Sequence, residues 1–176
     1  MDDTSAIGLS GPQHEALEGR ATEVWIRRAL LGLLTAFLIA GLLSVFGQVE
    51  RVRTVAGASG ARVTLTAPDR LRGGLIFQTK VVVEASETID DPQLVLSAGF
   101  LDGVTLNTVE PGPVNERSEG DQLILRYPRI REGTTMTAWF EHQVNPTTTG
   151  SRVQKFTLRD GDQSLATIAR TVQILP

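Results

Sequence analysis

Apolar and polar positions fall into successive regimes along the chain, and the sharpest is a run without any charge, ALLGLLTAFLIAGLLSVF, residues 29–46. As an α-helix its 18 residues extend about 27 Å, close to the hydrocarbon thickness of a bilayer. A helix satisfies its own backbone hydrogen bonds in lipid, which an isolated strand does not, so the run predicts a transmembrane helix over 29–47. Residues 1–11 read as a disordered cytoplasmic tail. Residues 12–28 read as a juxtamembrane helix continuing into the span, with Ser10 able to cap it and Pro12 tolerated in its first turn. Trp25 suits the headgroup interface, and Arg27 and Arg28 close one end of the span as charged stops. Within the span, Gly32, Ala36, Ala40 and Ser44 recur at steps of four and make a ridge of small residues, the arrangement that lets two helix backbones approach in lipid.

A cleaved signal peptide shares the pattern of a positive region followed by an apolar run. Here the preceding 28 residues hold five acids against three arginines, and the nearby Ala56-Gly57-Ala58 site lies about ten residues past the run. Both features favour an uncleaved anchor. Flanking arginines tie, with Arg20, Arg27 and Arg28 before the span and Arg51, Arg53 and Arg62 after it. The adjacency of Arg27 and Arg28 to the span, and the length of the polar region that follows, favour a cytoplasmic N-terminus and an extracytoplasmic C-terminal domain at the plasma membrane.

Residues 48–60, with Gly57, Ser59 and Gly60, read as a stalk. From Ala61 to Pro176 the period becomes two, the mark of half-buried strands. Val63, Leu65 and Ala67 alternate with Arg62, Thr64 and Thr66. Leu75, Phe77, Thr79, Val81, Val83 and Ala85 form the next inward face. Further runs follow at 93–98, 104–109, 122–127, 134–144, 152–159 and 165–175, separated by Gly, Pro, Asn and Asp. No helical period survives between them, so the 61–176 segment predicts an all-β, antiparallel, immunoglobulin-like β-sandwich of about seven or eight strands. Asp160-Gly161 predicts a tight hairpin that sets Phe156 opposite Leu165.

Charge removes one class of function. The net charge of −3 divides into −2 over residues 1–28, +1 over 47–60 and −2 over the remainder, so no basic face is offered to nucleic acid. With no cysteine, disulfides, thiolate metal sites and cysteine nucleophiles are excluded. Lysine occurs only as Lys80 and Lys155 among 17 basic residues, a bias that reads as GC-rich coding rather than as chemistry.

The stretches RGGLIFQTKVVVEAS, LDGVTLNTVEP and LILRYPRIREGTTMTAWFEHQV, within residues 72–144, resemble the immunoglobulin-like modules of bacterial surface proteins of the DUF11 and CARDB type. The shared layout is a long strand, then a Pro-containing segment, then an L-x-Y-x-x-I-x-x-G element leading into another long strand. The resemblance implies a binding or structural module in a membrane-anchored bacterial protein, and it brings no catalytic residues with it. This chain differs in having one copy, an N-terminal anchor and an additional C-terminal hairpin.

Candidate chemistry is sparse. His142 alternates with Phe140 and Val144 and so belongs to the inward face, as a hydrogen-bonded residue at the core edge rather than a catalytic base. Asp90-Asp91 and Asp160-Gly161-Asp162 have oxygen ligands suited to calcium, but turn chemistry accounts for both. Neither a Gly-x-Ser-x-Gly elbow nor a Ser-x-x-Lys pair occurs, and no cofactor or metal is indicated. Arg126, Arg129 and Arg131 with Arg70 and Arg72 form a basic patch only if the fold gathers them. Trp139 falls on the face opposite Met136, Ala138 and Phe140, either as an outward aromatic that anchors contacts or packed under a neighbouring loop.

The sequence therefore predicts no enzyme. It predicts a single-pass membrane protein whose extracytoplasmic module acts by binding, as an interaction subunit of a membrane or cell-envelope complex. The partners expected are the lipid bilayer and a membrane protein or a second copy, with a cell-wall or glycan-binding module as the alternative.

Overall fold

In the computed structural model, which describes residues 13–42 and 50–176, the segments expected to be juxtamembrane and, as far as Leu42, transmembrane are one helix, α1, Gln13–Leu42, with no break at Arg28. The expected tail 1–11, the cap Ser10, Pro12 and the ridge residue Ser44 lie outside the described residues. From Thr22 to Leu42 the helix is long and apolar enough to cross a membrane. Its large apolar side chains from Leu30 to Leu42 are 50–84% exposed and leave no polar face. Thr35 donates its hydroxyl to the Leu31 carbonyl at 2.8 Å, which satisfies the one polar side chain of that stretch inside the helix itself.

The β-domain is a second compact unit, a sandwich of two sheets. The first sheet, A, contains β1 (Glu50–Ala56), β2 (Arg62–Pro68), β4 (Ile76–Glu84), β6 (Val104–Glu110) and β9 (Thr135–Val144), in the order β1-β2-β4-β9-β6. The second, B, contains β3 (Arg70–Arg72), β5 (Pro92–Leu96), β7 (Asn115–Glu119), β8 (Gln122–Arg126), β10 (Gly150–Asp160) and β11 (Gln163–Leu175), in the order β3-β11-β10-β5-β8-β7. All eight stretches with period two are strands, and three more join them. Pairing is antiparallel except between β3 and β11.

Strand β1 corrects the expected stalk over 48–60. It pairs along its whole length with β2, from Glu50 opposite Pro68 to Ala56 opposite Arg62. Val52 points outward and is 66% exposed, while Arg53 turns inward and donates from Nη2 to Asp69 Oδ2 at 2.7 Å. An inward charge on an edge strand hides the strand from an apolar-pattern reading and also discourages edge-to-edge pairing with other chains. The hairpin β10–β11 is likewise corrected. Gly161, at φ +55°, and Asp162 form its tip, with Asp160 opposite Gln163; a bulge after Leu158 then sets Phe156 opposite Ile168 rather than Leu165.

Inward positions of both sheets build the core, with Leu65, Val81, Val83 and Phe140 from sheet A meeting Leu94, Leu96, Leu125, Phe156 and Leu158 from sheet B. A smaller apolar cluster holds Leu71, Phe77, Val104, Val144, Val172 and Ile174. Between the two lies a buried polar layer, one residue per strand: Thr79 follows Phe77 on β4, His142 precedes Val144 on β9, Arg170 precedes Val172 on β11, and Gln154 precedes Phe156 on β10. Arg170 donates from Nε and Nη2 to Gln154 Oε1 at 2.9 and 2.6 Å and from Nη1 to the Pro68 carbonyl at 3.0 Å. Gln154 Nε2 in turn donates to the Gly99 carbonyl at 2.9 Å. Gly99 must be glycine at this crossing, because a Cβ there would collide with the Val153 carbonyl.

Candidate functional site

Of the two histidines, His142 is the one whose side-chain surroundings the structure describes. His142 lies within the core rather than at its edge, fully buried, with its ring stacked on Phe77 at 4.9 Å and close to Phe100 and Phe140. Neither ring nitrogen has a hydrogen-bond partner among the described residues, which corrects the expected hydrogen-bonded residue. Burial, and then the nearby Arg170 guanidinium, push its pKa down from 6.5 to about 4. A neutral ring sealed among phenylalanines meets no substrate.

The acidic turns are occupied by their own neighbours. Asp160 Oδ1 accepts the Asp91 amide N–H at 2.7 Å, Asp91 takes hydrogen bonds from Arg126 and Gln93, and Asp90 pairs with Arg129. The bond from Arg126 holds the Asp91 carboxyl below its usual range. Among the described residues no group of three His, Asp or Glu is placed to hold a metal ion. The basic residues are not gathered into one patch either. Arg70 and Arg72 are on edge strand β3, whereas Arg126 is on β8, with β11, β10 and β5 between them.

The outer face of sheet A is different in kind. Cross-strand register sets Val52, Thr66, Lys80, Trp139 and Glu110 in one row from β1 to β6, with Gln78, Glu141 and Thr108 in a neighbouring row. Trp139 stands on this face 36% exposed, backed by Ala138 and Phe140, whose side chains point to the opposite side into the core. Of the two expectations for this residue, the outward aromatic is the arrangement found. Lys80 Nζ lies 4.7 Å from the centroid of its ring, a cation–π contact contributing about 0.5–1 kcal/mol at an exposed site. Trp139 and Gln78 form the shared wall of two shallow depressions. One, of about 260 Å³, is completed by Glu50, Thr66 and Lys80; the other, of about 100 Å³, by Thr108, Glu110 and Glu141.

Trp25, Arg27, Arg28, Gly32, Ala36 and Ala40 all fall on α1. The Arg28 guanidinium lies 6.0 Å from the Trp25 ring. A Cβ added at Gly32 would meet nothing within 4 Å, so this position leaves the helix backbone open to close approach. The residues of the site that period-two reading did not single out are Lys80, Gln78, Glu110 and Glu141. The outward positions of Gln78, Lys80 and Glu141 were legible, but that of Glu110 depends on the bulge between Leu106 and Thr108, and which of them flank Trp139 depends on register between strands distant in sequence.

No protein-family model matches the chain, and no curated protein matches it. Solved structures with partial likeness include a non-cellulosomal cohesin from the hyperthermophilic archaeon Archaeoglobus fulgidus, at 18% identity and TM-score 0.39, covering 65% of this chain and 91% of that one. CaCohA2 from Clostridium acetobutylicum is 12% identical with a TM-score of 0.40, covering 62% of this chain and 89% of that one. The chitin-binding domain of a hyperthermophilic chitinase from Pyrococcus furiosus is 18% identical with a TM-score of 0.39, covering 64% and 94%.

Proposed function

We propose that this chain is a single-pass plasma-membrane protein whose β-sandwich faces out of the cytoplasm and binds a protein partner, as an accessory subunit of a membrane complex or an envelope interaction module, without catalysing a reaction. The observation that carries the reading is the outward Trp139, fixed on a rigid sheet between two depressions lined by hydrogen-bonding side chains. An aromatic on a paired strand loses little conformational entropy on contact, which favours binding over a loop-borne equivalent. The apolar surface of α1 supports the anchor, and the resemblance of residues 72–144 to DUF11 and CARDB surface modules points to the same class of role. Arg27 and Arg28 directly abut the apolar run, whereas Arg51, the first arginine after it, lies five residues past Phe46, which supports a cytoplasmic N-terminus. Chemical crosslinking in native membranes followed by mass spectrometry tests the reading: a recurrent protein partner is expected, and a chain found only free and uncrosslinked contradicts it. Helix self-association is tested separately by Gly32→Ile with Ala36→Ile, which should abolish it in a membrane two-hybrid assay while Leu33→Ile with Phe37→Ile does not.

A glycan-binding role is the second reading, favoured by the Gln78, Thr66 and Glu141 side chains around the aromatic. A sugar ring stacking on Trp139 must displace the Lys80 ammonium. Binding to isolated cell-wall polymer that is lost on Trp139→Ala and strengthened by Lys80→Ala supports this reading; no binding by either form removes it.

A further inference from the structure

The face around Trp139 is electrostatically one-sided. Glu50, Glu110 and Glu141 line the two depressions, and none of the three has an ion-pair partner among the described residues. Four other exposed carboxylates of the domain are paired within it, Asp90 with Arg129, Glu84 with Arg62, Glu119 with Arg117 and Asp102 with Arg152. Glu87, Glu116, Asp121, Glu132 and Asp162 are not paired among the described residues, but none of these lines the depressions beside Trp139. The one cation lining the depressions, Lys80, is already placed over the indole, where the negative face of the ring system holds it. Lys80 therefore marks a position on the ring that accepts a cation. Three like charges around that position repel one another and attract an incoming positive group.

We infer that the outer face of sheet A docks an arginine- or lysine-bearing segment of a partner protein, its cation seated on Trp139 in competition with Lys80 and surrounded by Glu50, Glu110 and Glu141. The inference rests on the binding-module reading and adds the chemistry of the partner. Anionic ligands, such as acidic lipid headgroups or nucleic acid, are disfavoured by the same three carboxylates.

The test uses the full chain in nanodiscs of uncharged phosphatidylcholine, with Trp25→Phe so that Trp139 is the sole tryptophan reporter. Three ten-residue peptides alternating Ser with Arg, Gln or Glu are titrated while Trp139 fluorescence is followed. Saturable quenching by the arginine peptide alone is expected. Glu110→Gln with Glu141→Gln should weaken it at least about tenfold, and Lys80→Gln should strengthen it severalfold by vacating the ring. The paired substitution Glu116→Gln with Glu119→Gln on β7 should change it less than about twofold. Equal binding of the glutamine or glutamate peptide, equal loss in the β7 variant, or weakening by Lys80→Gln overturns the inference. A photo-crosslinker at Gln78, which walls both depressions and leaves Trp139 in place, separates the charge assignment from the reading beneath it. Capture of a partner through a segment without basic residues overturns the charge assignment and leaves the binding-module reading standing, whereas capture of nothing defeats the reading beneath it.

Discussion

Burial of His142 among three phenylalanine rings makes the stability of the sandwich depend on pH. Its folded pKa of about 4 lies below the ordinary 6.5, so the unfolded chain takes up the proton first. The contribution is whole above pH 6.5 and falls away as the pH drops toward 4, a loss of about 3 kcal/mol. Arg170, the charged group that faces it, adds repulsion to the protonated form. Urea unfolding at pH 7.5 and 4.5 should show the wild type losing about 2–3 kcal/mol more than His142→Phe; equal losses contradict this account of His142. Gly99 is a second position where one atom matters. Gly99→Ala drives a methyl into the Val153 carbonyl and should cost about 2 kcal/mol, whereas Gly112→Ala, with nothing within 4 Å, should change stability by less than about 0.5 kcal/mol. Alternation with Phe140 and Val144 made the inward side of His142 legible in the sequence. Its want of a hydrogen-bond partner was not, because that depends on what Phe77 and Phe100 bring from other elements.

At the scale of elements, legibility follows how many apolar side chains a strand turns inward. Strands β2, β4, β9, β10 and β11 alternate cleanly and stand out by period alone. Strand β7, with the sequence NERSE, turns none inward, and β3 turns only Leu71. Strand β1 sets Arg53 where an apolar residue would announce it, and the partner of that arginine, Asp69, lies on a turn 16 residues on. The Arg53–Asp69 pair, both side chains about a third exposed or less, holds an edge strand that makes few apolar contacts. Arg53→Ala should cost only about 1 kcal/mol globally yet accelerate amide hydrogen exchange across β1 well beyond that in β2 and β4. Uniform acceleration through sheet A would show that β1 is not held locally by this pair. The hairpin register belongs to the same lesson: the Asp-Gly signal located the hairpin, but a tip at Gly161-Asp162 moved the partner of Phe156 by two residues and the bulge near Leu165 by one more, a displacement no local motif encodes.

At the scale of the molecule, the chain divides into an apolar helix and a strand-built domain. On the helix, side chains such as Leu33, 72% exposed, and Phe37, 64% exposed, suit the lipid covering of the proposed anchor. Membranes washed at alkaline pH should therefore retain the full chain, and release into the supernatant contradicts an integral anchor. The division itself was plain in the sequence, since loss of charge and change of period need no tertiary information. The composition of the face around Trp139 was not, because Glu50, Lys80, Glu110 and Trp139 come onto one face only when β1, β2, β4, β9 and β6 are ordered side by side. The most direct test of a binding module that works through this face places a photo-reactive amino acid at Gln78, beside an intact Trp139, and, separately, at Val153 on sheet B, in the full chain in its native membranes. A discrete crosslinked protein from position 78 and none from position 153 is the predicted result. No product from position 78, or the same product from both, contradicts it.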